Sequence, residues 1–368
     1  MNSNKPNTPS KLRLAIIFGG RSGEHDVSLM SARSVLSVLD PAKYEVTQIG
    51  ITREGQWLTG EDVIGKFERE KLDGLEHFIL SPDPSNVTRN PYPVVDVFFP
   101  ILHGTFGEDG TIQGLFEMAD VAYVGAGVTG SSVGMDKGVF KEVMRANAIP
   151  IVESILASRN DIEKNMNAVI EKAEQAGAYP LFTKPANLGS SVGVTKCHNR
   201  SDLQEGLMEA AQFDRRVLVE RGVTDAREIE VSVLGNDEPI ASVCGEILPS
   251  REFYSYESKY IDGTSGLDIP ANLPKDVSEQ IRAYAVRAYQ LIDCAGMARV
   301  DFFVEKDTHK VYLNELNTIP GFTKISMYPK LWEATDLPYA TLVDRLIELA
   351  LERKAERDRT SHTYRSRA

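Results

Sequence analysis

Cysteine is scarce: the 368 residues hold three, Cys197, Cys244 and Cys294, widely spaced and without a CxxC pair. The odd count and the spacing speak against a disulfide framework and fit free, buried thiols in a reducing cytoplasm. Long apolar runs are lacking too. The longest, such as Val94–Leu102, are too short to span a bilayer. Positive charge is in deficit, with 41 Lys and Arg against 53 Asp and Glu and a formal net charge of −12. That argues against a nucleic acid or an anionic membrane as the main partner. It also means that any phosphate site must gather its cations locally. No GxxxxGK[ST] string occurs, so a nucleotide would be held without a Walker A loop. Residues 1–10 have no apolar stretch and are expected to be a disordered start rather than a signal peptide.

The apolar share of 42% and charged share of 26% are those of an ordinary folded protein. The length suffices for two or three domains with sizeable cores. Leu12–Phe18 is apolar and β-prone and is broken by Gly19-Gly20. Asp26–Asp40 carries Val27, Met30, Val35 and Val38 at helical spacing and stops at Pro41. Val46–Ile51, Val94–Leu102 and Val121–Val124 read as further strands, the second as a buried parallel one. Strands alternating with helices predict an open α/β sheet for the first part of the chain.

Beyond it, Ser131–Ala148 and Asn160–Ala176 read as helices, Tyr179–Lys184 as a strand, Ser201–Gln212 as a helix and Arg216–Glu220 as a strand. Together they form a small second α/β unit. After Glu228 the pattern becomes antiparallel. Glu230–Gly235 and Pro239–Ile247 flank an Asn236-Asp237 turn, and Ala298–Glu305 and Lys310–Leu316 flank another. Between these hairpins lies a long, tyrosine-rich loop, Phe253–Pro274, the kind of element that serves as a lid. Glu352–Ala368 reads as the end of a helix and a disordered tail. The expected limits are therefore 11–130 for the first domain, 131–228 for the second, 229–351 for the third and 352–368 for the tail.

Four constellations carry chemistry. Lys184–Val194 (KPANLGSSVGV) brings a lysine from the end of a strand into a Gly/Ser loop, where backbone N–H groups and a compact cation can meet phosphate oxygens. Lys137, in Met135-Asp136-Lys137, is a second cation of this kind. In Arg299-Val-Asp301 and Asn314-Glu315-Leu-Asn317, antiparallel pairing would join the start of one strand to the end of the other. Glu315 and Asn317 share a face there, as do Arg299 and Asp301. Two carboxylates and an amide oxygen make a hard oxygen set suited to Mg²⁺ with phosphate. The glycine-rich turn Phe18–Ser28 leads from the first strand to a helix, where Glu24 could hold an ammonium; a capping turn with Asp26 at the helix start is the other reading. His103 and Glu108, in Leu102–Gly110, lie just past a buried strand at the same edge.

Gly125-Ala-Gly127-Val-Thr-Gly130 fits GxGxxG, with Glu153 at the distance of a ribose-binding acid. A dinucleotide site there would make the chain a nicotinamide-dependent enzyme. The string does not follow the first strand, however, and reads rather as a tight strand-to-helix connection.

In order and spacing, FGGRSGEHDVS, LHGTFGEDGTIQG, MDK, the Lys184–Val194 loop, VLVERGV with REIEVSVLG, FYSYESKY, ARVDFF and NELNTIPGFTKISMYP resemble one family, the D-alanine–D-alanine ligases of the ATP-grasp superfamily, from about Leu12 to about Leu351. The resemblance implies an N-terminal open parallel-sheet domain followed by a two-domain ATP-grasp fold, α/β and in part α+β. It implies a cytoplasmic enzyme of peptidoglycan synthesis, a homodimer, that uses ATP and two Mg²⁺ ions, with Mn²⁺ able to substitute. Lys137, Lys184 and, on lid closure, Lys259 would contact phosphates. Glu220, Arg221 and Val223 would bind adenine, and Glu228 the ribose. Asp301, Glu315 and Asn317 would hold the metals.

Carried over in the same way, Glu24 would pair with the ammonium of the first D-alanine, and His103 would lie by its carboxylate. Arg299 and the Gly321 N–H would form an oxyanion site, and Ser326 and Met327 would position the second D-alanine. Ser190 and Tyr260 would link the lid to Glu24. Tyr260 points to D-alanine as second substrate, because members that make D-Ala–D-lactate tend to replace it. The implied reaction passes through an acyl phosphate formed from one D-alanine and ATP. One departure is Gly222, where some members carry a bulky aromatic residue beside adenine. His25 and Asp26 also stand where some members carry Arg and Glu.

Overall fold

The structure, a computed structural model, describes residues 11–86, 94–189, 192–223, 225–248, 266–323 and 325–361. Its first sheet grows from β1 (Leu12–Gly19), which is flanked by β2 (Tyr44–Ile51) and β5 (Val97–Ile101), both parallel to it. β6 (Ala122–Tyr123) extends the parallel part. The short β3 (Trp57–Thr59) and β4 (Glu76–His77) add an antiparallel edge beyond β2.

Leu14, Ile16 and Phe18 point to one face of β1, and Ala15 and Ile17 to the other. All five are fully buried, as a strand covered on both faces requires. α1 (His25–Leu36) and the C-terminal α11 (Tyr339–Arg357) cover the first face, and α3 (Thr111–Met118) the second. α11 is also tied down by charge. Arg357 pairs with Glu117 at 2.7 Å and Lys354 with Asp120 at 3.2 Å, and the helix ends at Arg357, within the stretch where its end is expected. α2 (Val63–Glu68) packs against β2.

The expected single helix 131–148 is two helices, α4 (Val128–Met135) and α5 (Lys137–Ala146). Asp136 breaks it by taking the N-cap position, where its carboxylate accepts the N–H of Val139 at 3.0 Å. The expected helix 160–176 is likewise α6 (Arg159–Lys164) and α7 (Met166–Glu174), divided at Asn165. With α8 (Arg200–Phe213) they back a sheet ordered β7-β10-β8-β9, formed by β7 (Ser154–Ser158), β8 (Leu181–Pro185), β9 (Thr195–Cys197) and β10 (Arg216–Arg221). All its pairings are antiparallel.

The third sheet, order β13-β12-β11-β14-β15, is antiparallel throughout. It comprises β11 (Ala226–Gly235), β12 (Ile240–Leu248), β13 (Gly266–Asp268), β14 (Gly296–Glu305) and β15 (Val311–Asn317). α9 (Lys275–Leu291) buries Ile281, Ala285 and Ala288 against Ile229, Val231 and Val233. The expected loop 253–274 is therefore in part an edge strand. Leu267 stands opposite Ile247, and Ala271 donates its N–H to Cys244 at 2.8 Å. Residues 253–265 of that loop, like 1–10 and 362–368, lie outside the described residues. No helix among the described residues is long and apolar enough to cross a membrane. All three cysteines are free and buried.

Candidate active site

Alternation on β8 sends Leu181 and Thr183 into the helical layer and Phe182 and Lys184 to the opposite face. On the neighbouring β10, Val217 and Val219 face the helices while Glu220 stands opposite Phe182. The third sheet turns its polar face to the same space. Glu230 pairs in register with Asp301, and Asp301 with Glu315. A cavity of about 740 Å³ lies between these faces and reaches Glu24, His103 and Glu108 of the first sheet.

The metal-ligand reading of the β14–β15 hairpin rests on pairing, and the pairing is there: Arg299 faces Asn317 and Asp301 faces Glu315. Arg299 grips Asp301 with two hydrogen bonds, of 2.8 and 2.7 Å, and reaches Glu230 at 3.0 Å. Asn317 donates to Asp301 at 3.1 Å. Among the described residues no group of three His, Cys, Asp or Glu side chains gathers to hold a metal unaided. The two carboxylates and one amide oxygen would need phosphate oxygens to complete a shell, which is how Mg²⁺ is usually held.

The cation wall stands opposite. Lys137 lies 3.6 Å from Glu315 and donates to the Leu188 carbonyl at 2.7 Å. Lys184 contacts one oxygen of Glu220 at 2.5 Å, and Lys141 the other at 2.6 Å. Burial alone pushes the Glu220 carboxyl up, but the two ammonium groups more than reverse this and bring it down to about 2. Lys141 was not legible as a site residue. It sits four residues after Lys137 on a helix, where a lysine ordinarily reads as solvated, yet it is 2% exposed.

Glu24 occupies the N-cap position of α1 without capping it through its side chain. Instead its carboxylate is buried between two glycines. A Cβ at Gly104 would fall 2.5 Å from its Oε2, and one at Gly189 would fall 2.8 Å from it. The glycine loop after β8 thus closes directly over Glu24. His103 is buried with both ring nitrogens engaged, Nδ1 with the Ile319 carbonyl at 3.0 Å and Nε2 with the Ser31 hydroxyl at 2.9 Å. Burial lowers its pKa against the pull of Glu24, so the ring stays neutral. Glu108 accepts the N–H groups of Gly104 and Ile319 at 2.8 and 3.0 Å. Burial and the charge of Glu24 push its carboxyl up to about 8, against those two donors. Glu230 and Phe182, like Lys141, escaped the sequence reading.

Gly321, Ser326 and Met327 line the cavity together. The Ser326 hydroxyl accepts the Thr323 N–H at 3.0 Å and would lie 2.8 Å from a Cβ at Gly321. Met327 opens α10 (Met327–Glu333). Arg221, Val223 and Glu228 line the cavity beside Glu220. Gly222 is held by its N–H to Pro180 at 2.9 Å, and a Cβ there would meet that carbonyl at 2.8 Å. Phe182 and Phe303 also line the cavity. Ser190, Lys259 and Tyr260 lie outside the described residues.

The glycines of the GxGxxG string pack against protein. A Cβ at Gly130 would fall 2.9 Å from the Asp293 carbonyl, and one at Gly127 would fall 2.9 Å from Arg353. None of the three lines the cavity. These contacts fit a tight strand-to-helix connection.

Two family models match the chain: "D-ala D-ala ligase N-terminus" over residues 13–126 and "D-ala D-ala ligase C-terminus" over residues 143–348. This chain belongs to the D-alanine–D-alanine ligase family. A D-alanine–D-alanine ligase of Thermoanaerobacter sp. (strain X514) is 49% identical over 362 residues, covering 95% of this chain and 99% of the relative. The solved D-alanine–D-alanine ligase of Coxiella burnetii superposes with a TM-score of 0.81 at 35% identity, covering 95% of this chain and 96% of that one. VanG, a D-Ala:D-Ser ligase from Enterococcus faecalis, superposes with a TM-score of 0.83 at 34% identity, over 93% of this chain and 100% of its own. The three-sheet architecture is thus the ATP-grasp fold of these ligases. Membership makes the chain an ATP-dependent ligase that joins two D-alanine molecules for peptidoglycan synthesis.

Proposed function

We propose that ATP lies between the two antiparallel sheets and that its terminal phosphate meets the first D-alanine beneath the Gly189 loop. The observation that carries this is the convergence, in one cavity, of Lys137 and Lys184 with Asp301, Glu315 and Asn317 and with Glu24. On this reading the three domains are 11–130, 131–228 and 229–351, with the cavity at their junction. Phe182 and Phe303 sandwich the base near Glu220, Arg221 and Val223, and Glu228 takes the ribose.

The all-oxygen set at the paired strand ends fits Mg²⁺, two ions on this reading, and Mn²⁺ as a substitute. Bound metal would neutralise charge on the phosphates. The chain's own residues do the rest. Glu24 orients the ammonium of the first D-alanine, and a carboxylate oxygen of that D-alanine attacks the γ-phosphorus; the bond from phosphorus to the β–γ bridging oxygen breaks, giving the acyl phosphate and ADP. The amine of the second D-alanine, positioned by Ser326 and Met327, attacks the acyl phosphate carbon. The amide C–N bond forms, the C–O bond to phosphate breaks and one proton leaves the amine. Arg299 and the Gly321 N–H face the oxyanion that develops, which is where electrostatic stabilisation counts most. His103 holds the Ile319 carbonyl beside that site. Lys259, Ser190 and Tyr260 complete the assignment from the lid side. It rests there on the resemblance, as does D-alanine over D-serine or D-lactate as second substrate.

The test is isotopic. D-alanine labelled with ¹⁸O in its carboxylate transfers one ¹⁸O to the released phosphate if an acyl phosphate forms. Unlabelled phosphate alongside dipeptide formation would rule the intermediate out.

A further inference from the structure

Lys141 is one of the largest fully buried side chains among the described residues, at 2% exposure, and it does not line the cavity. Its neighbours on the buried face of α5 are Gly138, Phe140 and Met144. A charge in that layer is costly unless something requires it, and an apolar residue of similar volume would pack as well. What it touches is Glu220 Oε1 at 2.6 Å, while Lys184 holds Oε2 at 2.5 Å. Glu220 and Lys184 do line the cavity.

Charge counting gives the consequence. Lys184 and Glu220 alone would cancel, and the wall would offer a polyanion nothing. Lys137 faces Glu315 in the same way. With Lys141 protonated behind Glu220, a state that burial opposes and the Glu220 carboxylate supports, the buried triad carries one net positive charge, and its only ammonium at the cavity surface is that of Lys184.

We propose that Lys141 is a positioning residue that offsets Glu220 from behind, so that Lys184 presents a net positive charge to the phosphates of ATP. The inference rests on the reading of Lys184 as a phosphate contact. Glu220 in turn fixes the ammonium of Lys184 in place. Burial pulls Lys184 toward neutrality, but Glu220, Glu315 and Glu228 hold its pKa above the ordinary value, so it stays charged.

The measurement is the ratio of ATP to AMP affinity by titration calorimetry, in wild type, Lys141→Met, the double variant Lys141→Met/Glu220→Gln, and Lys184→Met. A role confined to folding would move both affinities together. The proposal requires Lys141→Met, with the triad neutral, to lower the ratio by more than about tenfold. The double variant, with the net charge back at +1, must restore it toward wild type. If Lys141→Met does not fold, Lys141→Gln decides in its place, because it leaves the triad equally neutral and must lower the ratio in the same way. A wild-type ratio in the neutral Lys141 variant, or a double variant whose ratio falls as far as that of the single variant, overturns the proposal. If Lys184→Met leaves the ratio unchanged, the phosphate role of Lys184 fails first, and the inference with it.

Discussion

Glu108 and Ile319, 211 residues apart, are joined by a 3.0 Å hydrogen bond from the Ile319 N–H to the buried Glu108 carboxyl group. The Ile319 carbonyl is held by His103, from the same loop as Glu108. Both backbone polar groups of Ile319, in the segment leading to Gly321, are thereby tied to the loop that follows β5.

This link predicts that Glu108→Ala damages catalysis rather than nucleotide binding. It leaves the Gly104 and Ile319 N–H groups without a buried acceptor, at about 1–3 kcal/mol each, and loosens the approach to Gly321. Misplacement of that order costs up to about a hundredfold in rate. Steady-state kinetics should show kcat reduced about 10- to 100-fold with KM for ATP nearly unchanged. An unchanged kcat would count against the link.

The Glu220 carboxyl, lowered to about 2 in the folded protein from an ordinary value of 4.5, stabilises the fold above pH 4.5 and loses that contribution as pH falls toward 2. The shift corresponds to about 3 kcal/mol. Denaturant melts of wild type and Glu220→Gln should differ by about that amount at pH 7 and converge as pH drops through the window. A difference independent of pH would contradict the triad.

How much of this was legible follows from periodicity. Arg299, Asp301, Glu315 and Asn317 were readable because strand alternation fixes faces and a short turn fixes pairing, so two-residue spacing sufficed. Glu230 carried the same signal, two residues from Glu228 on a strand, and went unread. Lys141 gave none, and Glu108 was placed at the binding edge without a sign of its burial. A lysine on an amphipathic helix or a glutamate in a loop shows its burial only when a distant segment, the β10 strand or Ile319, closes over it. The break at Asp136 was present as an N-cap residue, but the apolar spacing on either side masked it.

Asp301 both grips Arg299 and offers oxygen to a cation, so Asp301→Asn should raise the Mg²⁺ concentration for half-maximal phosphate release and lower kcat by at least about a hundredfold. Phosphate release followed across a Mg²⁺ series checks this. An unshifted Mg²⁺ dependence would place the metal elsewhere.

Gly130→Ala tests the packing role of the GxGxxG string. A Cβ there meets the Asp293 carbonyl at 2.9 Å and the Cys294 Cα at 3.0 Å, both backbone. Overpacking of this kind costs about 1–3 kcal/mol, against up to about 1 kcal/mol returned by helix propensity. Thermal melts should show a modest net loss of stability with KM for ATP unchanged. Unaltered stability combined with altered cofactor binding would reopen the dinucleotide reading.

The central claim is that one cavity couples ATP to the joining of two D-alanines, and the direct measurement is phosphate release from ATP and Mg²⁺ with D-alanine, with L-alanine and with neither. Release that requires D-alanine, matched mole for mole by D-alanyl-D-alanine, is the predicted result. Release that ignores D-alanine, or ATP binding with no release in its presence, would contradict the account.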